Sequence, residues 1–364
     1  MVLLSLSAIL ACLSAAHAAL PYKGVDWSSV IVEEKAGVKY KDTNGQAKPL
    51  EQVLADNGVN TVRQRVWVTP SGGTYNLDYN IQLGKRAKAV GLGVYLDLHF
   101  SDTWADPSHQ TIPSGWPSDI SNLSWKLYNY TLDVSNRFQD AGVQPTIISI
   151  GNEITPGLLW PTGKTNNWAN IARLLHSASA GIKDSRLDPK PKIMVHLDNG
   201  WNWGTQQWWY TNVLKQGTFL ASDYDMMGVS YYPFYSEQAT LSSLKSSLAN
   251  MASTWGKEVL VVETDWPTSC PSPKYQFPSD ARSIPRTAAG QATWIQQVAN
   301  VVSSVKGGVG LFYWEPAWIH NANLGSSCAD NCMFSQNGQA LSKVPQEHQV
   351  ADGIGRKDNN MENK

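Results

Sequence analysis

Two glutamates stand where the sequence makes their chemistry conspicuous. Glu153 follows the apolar run Thr146–Ile150 in TIISIGNEITPG, and Glu263 closes the run EVLVVE. A carboxylate at the end of an apolar strand is costly unless partners satisfy it, so stability alone does not account for two of them. A facing pair of carboxyls is what hydrolysis of a glycosidic bond requires: one, protonated, donates to the leaving oxygen, while the other, ionised, attacks the anomeric carbon. Repulsion between the two raises one pKa and hydrogen bonds lower the other. Once the nucleophile is esterified, the acid loses its charged neighbour and serves as a base. Spacing leaves open which glutamate takes which part, and whether the reaction retains or inverts configuration.

Groups so far apart in the chain must be brought together by the fold. Eight extended apolar segments recur: Tyr22–Asp26, Asn60–Val68, Gly93–His99, Thr146–Asn152, Lys192–Asp198, Tyr224–Tyr231, Lys257–Glu263 and Gly308–Trp314. Helical spacings lie between them, as at Leu123, Leu127, Tyr130, Val134 and Phe138. Strands alternating with helices imply a parallel sheet, and continuous apolar runs imply that both its faces are covered. Eight repeats favour a closed (β/α)8 TIM barrel, whose active site lies on the loops after the strand C-termini. Polar groups collect at those ends: Asp26, Arg63 and Arg65, His99, Asn152 and Glu153, Asp198, Tyr231, Glu263 and Trp314. Any one of them could be a satisfied polar residue of the barrel rim; the set together argues for a site.

The whole chain is consistent with that plan. It has 364 residues, 42% hydrophobic, with a formal net charge of −1, which gives no reason to expect nucleic acid or an anionic membrane as partner. Residues 2–16 form an apolar run closed by Ala16-His17-Ala18, read as a secretory signal peptide (1–18) with a mature chain from Ala19 and an extracellular destination. Asn122 and Asn129 head two N-glycosylation triplets. No composition break divides 19–345, so a single domain is expected there, and 346–364 reads as a polar, disordered tail. Loss of the leader removes Cys12 and leaves Cys270, Cys328 and Cys332, one disulfide and one spare thiol; Cys270 with either partner, or the local pair Cys328–Cys332, would serve. Neither a zinc spacing nor a nucleophilic Cys–His pairing is evident, and no cofactor or required metal is expected. Sixteen Trp and fourteen Tyr beside seven Phe supply flat faces with polar edges, suited to sugars.

Longer motifs carry a resemblance. GVDWSS (24–29), VRQRVWVTP (62–70), DLHFSDTWADPSHQ (97–110), GNEITPGLLWP (151–161), GVSYYPFY (228–235), VVETDWP (261–267) and FYWEPAW (312–318) are similar to glycoside hydrolase family 53, the endo-β-1,4-galactanases of clan A. The resemblance implies a retaining mechanism with Glu153 as acid/base and Glu263 as nucleophile, acting on β-1,4-galactan of type I arabinogalactan; separately, no interface signal in the sequence argues against a monomer. It further implies that Asn152 bonds the sugar 2-hydroxyl, that Tyr231 orients Glu263, and that Arg65 helps hold Glu263 ionised. His99, Asp102 and Asp198 would line sugar subsites, and Trp314 would floor the cleaved residue. Arg63 is expected in a structural ion pair lower in the barrel. Trp104, Trp116, Trp203 and Trp318 are candidates for stacking on sugar faces, whereas Trp208, Trp209 and Trp294 are expected to pack. The rival readings are a non-catalytic carbohydrate-binding protein, which leaves the two glutamates unexplained, and a clan A mannanase, xylanase or β-1,3-glucanase, which would share the glutamates and differ in subsite residues.

Overall fold

The computed structural model describes residues 20–341; the expected leader (1–18) and tail (346–364) lie outside them. Eight parallel strands close into a barrel in sequential order: β1 (Tyr22–Asp26), β2 (Thr61–Val66), β3 (Gly93–Leu98), β4 (Pro145–Ile150), β5 (Lys192–Leu197), β6 (Met226–Ser230), β7 (Glu258–Glu263) and β8 (Gly308–Tyr313), with β8 pairing back to β1. Helices follow the strands and cover the outside, as the alternating pattern predicts. Helix Ile120–Asp140 buries Leu123, Leu127, Val134 and Phe138 on one face. No helix among the described residues is long and apolar enough to cross a membrane.

The core divides into two layers. A large one lies between sheet and helices, and a small one fills the barrel itself: Tyr95, Ile147, Met194, Met226, Leu260, Val262 and Phe312. Gly24 makes room for that plug, because a Cβ there would stand 2.2 Å from the Phe312 ring. Above the plug the inward positions turn polar, and this polar storey carries the site.

Most strands stop one or two residues before the sequence pattern suggests. β4 ends at Ile150 rather than Asn152, and β2 at Val66 rather than Val68. At the top of β4 the backbone leaves the pleat, with Gly151 at φ 114° and Glu153 at φ 48°; Phe100, Asn199 and Glu315, past the ends of β3, β5 and β8, are also left-handed. A non-glycine residue held there costs on the order of 1 kcal/mol, and such kinks aim a side chain that a straight strand would misdirect.

Candidate active site

The polar storey is organised by one guanidinium. Arg63, on β2 and 1% exposed, reaches Asp26 of β1 at 2.6 Å, Asp97 of β3 at 2.7 Å, Glu263 of β7 at 2.7 Å and Asn152 Oδ1 beyond β4 at 2.8 Å. The sequence assigned the contact with Glu263 to Arg65. Arg65 points inward one layer higher, where its guanidinium meets Glu315 at 2.6 Å and Ser29 Oγ at 2.8 Å, and lies over the rings of Tyr75, Trp104 and Trp318. Strand tilt explains the difference: neighbouring strands are staggered, so the residue nearest the end of β2 is not level with the end of β7.

Glu263 owes its direction to a bulge. Leu260 and Val262 both face the barrel plug, so strict alternation would turn Glu263 outward. Register instead shifts between Val229↔Val261 and Ser230↔Glu263, and the extra residue brings the glutamate back to the mouth. Its second oxygen accepts a 2.7 Å hydrogen bond from the Tyr232 hydroxyl. Tyr231 is not this partner: its hydroxyl donates to Ala239 O at 2.8 Å, its ring stacks on Trp294, and it is fully buried outside the barrel. Gly228 and Ser230 face inward, so by parity the inward tyrosine is Tyr232.

Glu153 has none of these partners. Burial, then the Glu263 and Asp198 carboxylates, push its carboxyl well above the ordinary glutamate value. Burial raises Glu263 as well, but Arg63 and the Tyr232 hydroxyl oppose it. Of two neighbouring carboxyls, the one with a cation and a donor keeps the charge and the other keeps the proton. Burial and the Glu263 charge hold the Tyr232 phenol well above its ordinary value, so it remains a donor.

The remaining predicted residues divide. His99 lies on the cavity wall with its tautomer fixed: Nδ1 accepts from Trp67 Nε1 at 3.1 Å and from Ala105 N at 3.2 Å, leaving the Nε2 proton for Asp97 at 2.9 Å. Burial lowers its pKa and keeps it neutral. Asn152 gives one amide hydrogen to Ala105 O at 2.7 Å and faces the cavity beside Glu153. Asp198 lines the cavity; Asn199 Nδ2 binds its Oδ2 at 2.6 Å, while its Oδ1 has no protein partner. Trp314 and Trp104 line the cavity, with Trp318 stacked behind Trp104. Asp102 does not reach the wall; its carboxylate accepts from Thr69 N, Thr69 Oγ1 and Ser114 N and braces the loop instead. Trp116 packs on Tyr130 and Trp203 on Trp255, away from the cleft. Trp209 and Trp294 are fully buried, while Trp208 is 45% exposed. Sequence reasoning passed over Tyr232, Tyr235, Trp201 and His109, which all line the cavity; only Tyr232 had a sequence signal, the strand parity.

The cavity measures about 690 Å³ and opens at the strand C-termini, with both glutamates and the indole of Trp314 on its walls. Cys270 and Cys328 are bonded, tying the loop after β7 to the loop after β8, and Cys332 is a buried thiol. Such a cleft, with a protonated carboxyl, an ionised one and aromatic walls, can bind a sugar chain and cleave it.

Comparison with known proteins agrees. The sequence profile of glycosyl hydrolase family 53 matches residues 22–345. An arabinogalactan endo-beta-1,4-galactanase of Thermothelomyces thermophilus is 76% identical over 326 residues, covering 90% of this chain and 98% of its own. One of Humicola insolens is 74% identical over 332 residues, covering 91% and 100%. A solved structure from a study of two fungal beta-1,4-galactanases superposes with a TM-score of 0.89 at 75% identity, over 90% of this chain and 98% of that one. The chain is a glycoside hydrolase and belongs to glycosyl hydrolase family 53.

Proposed function

We propose that this enzyme cleaves internal β-1,4-galactosidic bonds in the galactan of type I arabinogalactan by retaining double displacement, with Glu263 as nucleophile and Glu153 as acid/base. The observation that carries the roles is the asymmetry of the two carboxyls: Arg63 and Tyr232 on Glu263, neither on Glu153. The substrate follows from the relatives' named activity and their 76% and 74% identity over 90% and 91% of this chain.

In the first step a Glu263 oxygen bonds to the anomeric carbon as the glycosidic C–O bond breaks, and the departing oxygen takes the Glu153 proton. The charge on Glu263 is thereby lost, which lowers the Glu153 pKa. Glu153, now a carboxylate, removes a proton from water as the water oxygen attacks the anomeric carbon and the ester bond to Glu263 breaks, restoring both groups. Asn152 hydrogen-bonds the 2-hydroxyl, where contacts strengthen at the transition state. His99 and Asp198 contact sugar hydroxyls, and Trp314 supports the apolar face of the ring. Export is part of the proposal, and the asparagines of both glycosylation triplets, Asn122 and Asn129, are exposed on one helix.

The test is reducing-sugar release from linear β-1,4-galactan, β-1,3-galactan, mannan, xylan and β-1,3-glucan by the wild type, Glu153→Gln and Glu263→Ala. Cleavage confined to β-1,4-galactan, with turnover reduced by several orders of magnitude in each variant and melting temperatures preserved, is expected. Near-normal turnover of either variant overturns the mechanism, and a different preferred polymer overturns the substrate.

A further inference from the structure

His196 is a buried titratable side chain that the reaction as drawn does not use. It lies on β5 two residues after Met194 of the apolar plug, on the same inward face, and is fully buried. Burial pushes its pKa down to about 3, so the ring is neutral. A neutral imidazole is a costly filler there: a hydrocarbon side chain would extend the plug, whereas a ring nitrogen without a partner forfeits the hydrogen bond it has in water. Nε2 has a partner, the Ser230 hydroxyl of β6 at 2.9 Å, and Nδ1 has none among the described residues. An orphaned buried N–H is a rarer defect than an unfilled lone pair, so the ring proton belongs on Nε2, which donates to Ser230 Oγ. The serine's own hydrogen is then free to donate.

Ser230 is 2% exposed and lines the catalytic cavity, as Glu153 does. Burial, then Glu263 and Asp198, raise the Glu153 carboxyl, and a hydrogen bond from the Ser230 hydroxyl opposes them. His196 also holds the turn that carries Glu153. Its carbonyl accepts from Ile154 N at 3.1 Å, while Trp209 Nε1 donates to Ile154 O at 3.0 Å and Asp198 N to Thr155 Oγ1 at 3.2 Å. The left-handed backbone of Glu153 is thus tied to β5 on one side, and Ser230 reaches its carboxyl from β6 on the other.

We propose that His196 and Ser230 form a positioning pair for Glu153: the imidazole holds the serine hydroxyl, the hydroxyl donates to one carboxyl oxygen, and the acid's proton is confined to the other oxygen, turned to the glycosidic bond. The proposal rests on the reading of Glu153 as acid/base. A carboxylic acid has one O–H and one carbonyl oxygen, and a donor aimed at one oxygen makes that oxygen the acceptor. After the proton has gone to the departing oxygen, the carboxylate accepts the same hydrogen bond while its other oxygen takes a proton from water. The hydrogens of Ser230 and His196 stay in place through both steps, so the pair orders the proton without carrying it.

The experiment measures kcat/KM across pH on β-1,4-galactotetraose and on a 2,4-dinitrophenyl β-1,4-galactobioside, whose leaving group departs without protonation. The proteins are the wild type, Ser230→Ala, His196→Leu, His196→Gln and Glu153→Gln, with melting temperatures as a folding check. Ser230→Ala should lower kcat/KM on the tetraose by about tenfold, equivalent to about 1.4 kcal/mol, through kcat rather than KM. On the aryl glycoside the loss should stay under about twofold. The basic limb on the tetraose should move to higher pH, because the lost hydrogen bond lowers the Glu153 pKa and the acid works protonated. The other groups facing Glu153 are Glu263, Asp198, Asp106 and the phenols of Tyr232 and Tyr235, and those facing His196 are Asp97, Arg63 and His99; the Ser230 and His196 variants keep all of them. His196→Leu, which unties the serine, should show the same pattern at about threefold, and His196→Gln, whose amide N–H replaces Nε2–H, should restore the tetraose rate. Equal losses on both substrates with an unmoved limb, or wild-type behaviour of Ser230→Ala, overturn the positioning pair and leave the acid/base reading standing. If Glu153→Gln itself loses equally on both substrates, the acid/base reading falls and the pair with it.

Discussion

Tyr232→Phe removes one hydroxyl and one hydrogen bond, the 2.7 Å donation to Glu263 Oε2. A hydrogen bond to a charged acceptor is worth about 1.5–3 kcal/mol, and in the proposed mechanism its acceptor must carry negative charge to attack. Lost in full at the transition state, that energy corresponds to a fall in kcat/KM of roughly 10- to 150-fold. The pH profile should move as well. The Tyr232 hydrogen bond lowers the Glu263 pKa, so removing it raises that pKa; the proposed nucleophile works only when ionised, so the acidic limb of kcat/KM shifts to higher pH. Tyr231→Phe is the internal control, since that hydroxyl serves a carbonyl outside the barrel; it should cost about 1 kcal/mol of stability and leave the profile where it was. Initial rates across pH 3–8 on one soluble galacto-oligosaccharide decide the matter. If Tyr232→Phe keeps the wild-type acidic limb and loses less than threefold, or if Tyr231→Phe gives the larger effect, the assignment of Tyr232 as the partner of the nucleophile is refuted.

Two further expectations concern the frame. His196 is fully buried beneath the site, bonded through Nε2 to Ser230 Oγ, and burial pushes it down to about 3. Its folded pKa lies below the unfolded value of about 6.5, so the stability it contributes is complete above 6.5 and is lost as pH falls toward 3. The raised carboxyls of Glu153, Asp265 and Glu315 titrate in the opposite sense, so the comparison is with a variant: His196→Gln should lose about 2 kcal/mol less than the wild type between pH 6.5 and 4.5 in urea melts, and parallel curves would count against it. Separately, Cys270 and Cys328 are 58 residues apart, and opening a loop of that size releases about 4 kcal/mol of unfolded-chain entropy. The double Ser variant should melt roughly 6 °C lower by calorimetry; a melting temperature within a degree of the wild type would show that the strands flanking the loop already restrict the unfolded chain.

Most of the barrel was legible because each strand is a continuous apolar run and each helix carries a one-sided apolar stripe, signals set by burial alone. Residues that line the candidate cavity were legible where burial makes a polar group conspicuous, as at Glu153, Glu263, Asn152 and Asp198. What escaped was geometry that composition does not encode. The choice between Arg63 and Arg65 depends on the stagger of β2 against β7, and the inward turn of Glu263 depends on one bulged residue. The choice between Tyr231 and Tyr232 was open to reading, since Gly228 and Ser230 fix the parity of β6, but the strand had to be ended at the right residue first. Asp102 shows the reverse error: a carboxylate near a strand end reads as a ligand group, yet two donors of Thr69 in the loop after β2 and one of Ser114 in its own loop consume it. Which of the three cysteines pair is a matter of loop proximity, and that is known only once the loops are placed.

Arg63 carries a meaning beyond the reaction. Its partners come from β1, β3, the turn after β4, and β7, contributed by segments from Asp26 to Glu263. A partly assembled barrel, with the first four strands paired and β7 not yet docked, would hold the cation with one acidic partner missing, and a barrel lacking β2 would leave three buried carboxylates without their cation. Breaking one member of such a buried set costs several kcal/mol. Intermediate assemblies are thereby penalised relative to both the open chain and the closed ring, which makes folding more nearly all-or-none. The same contact ties the charge of Glu263, the proposed nucleophile, to closure of the ring, because the cation beside that carboxylate is in place only when β2 and β7 stand in one barrel.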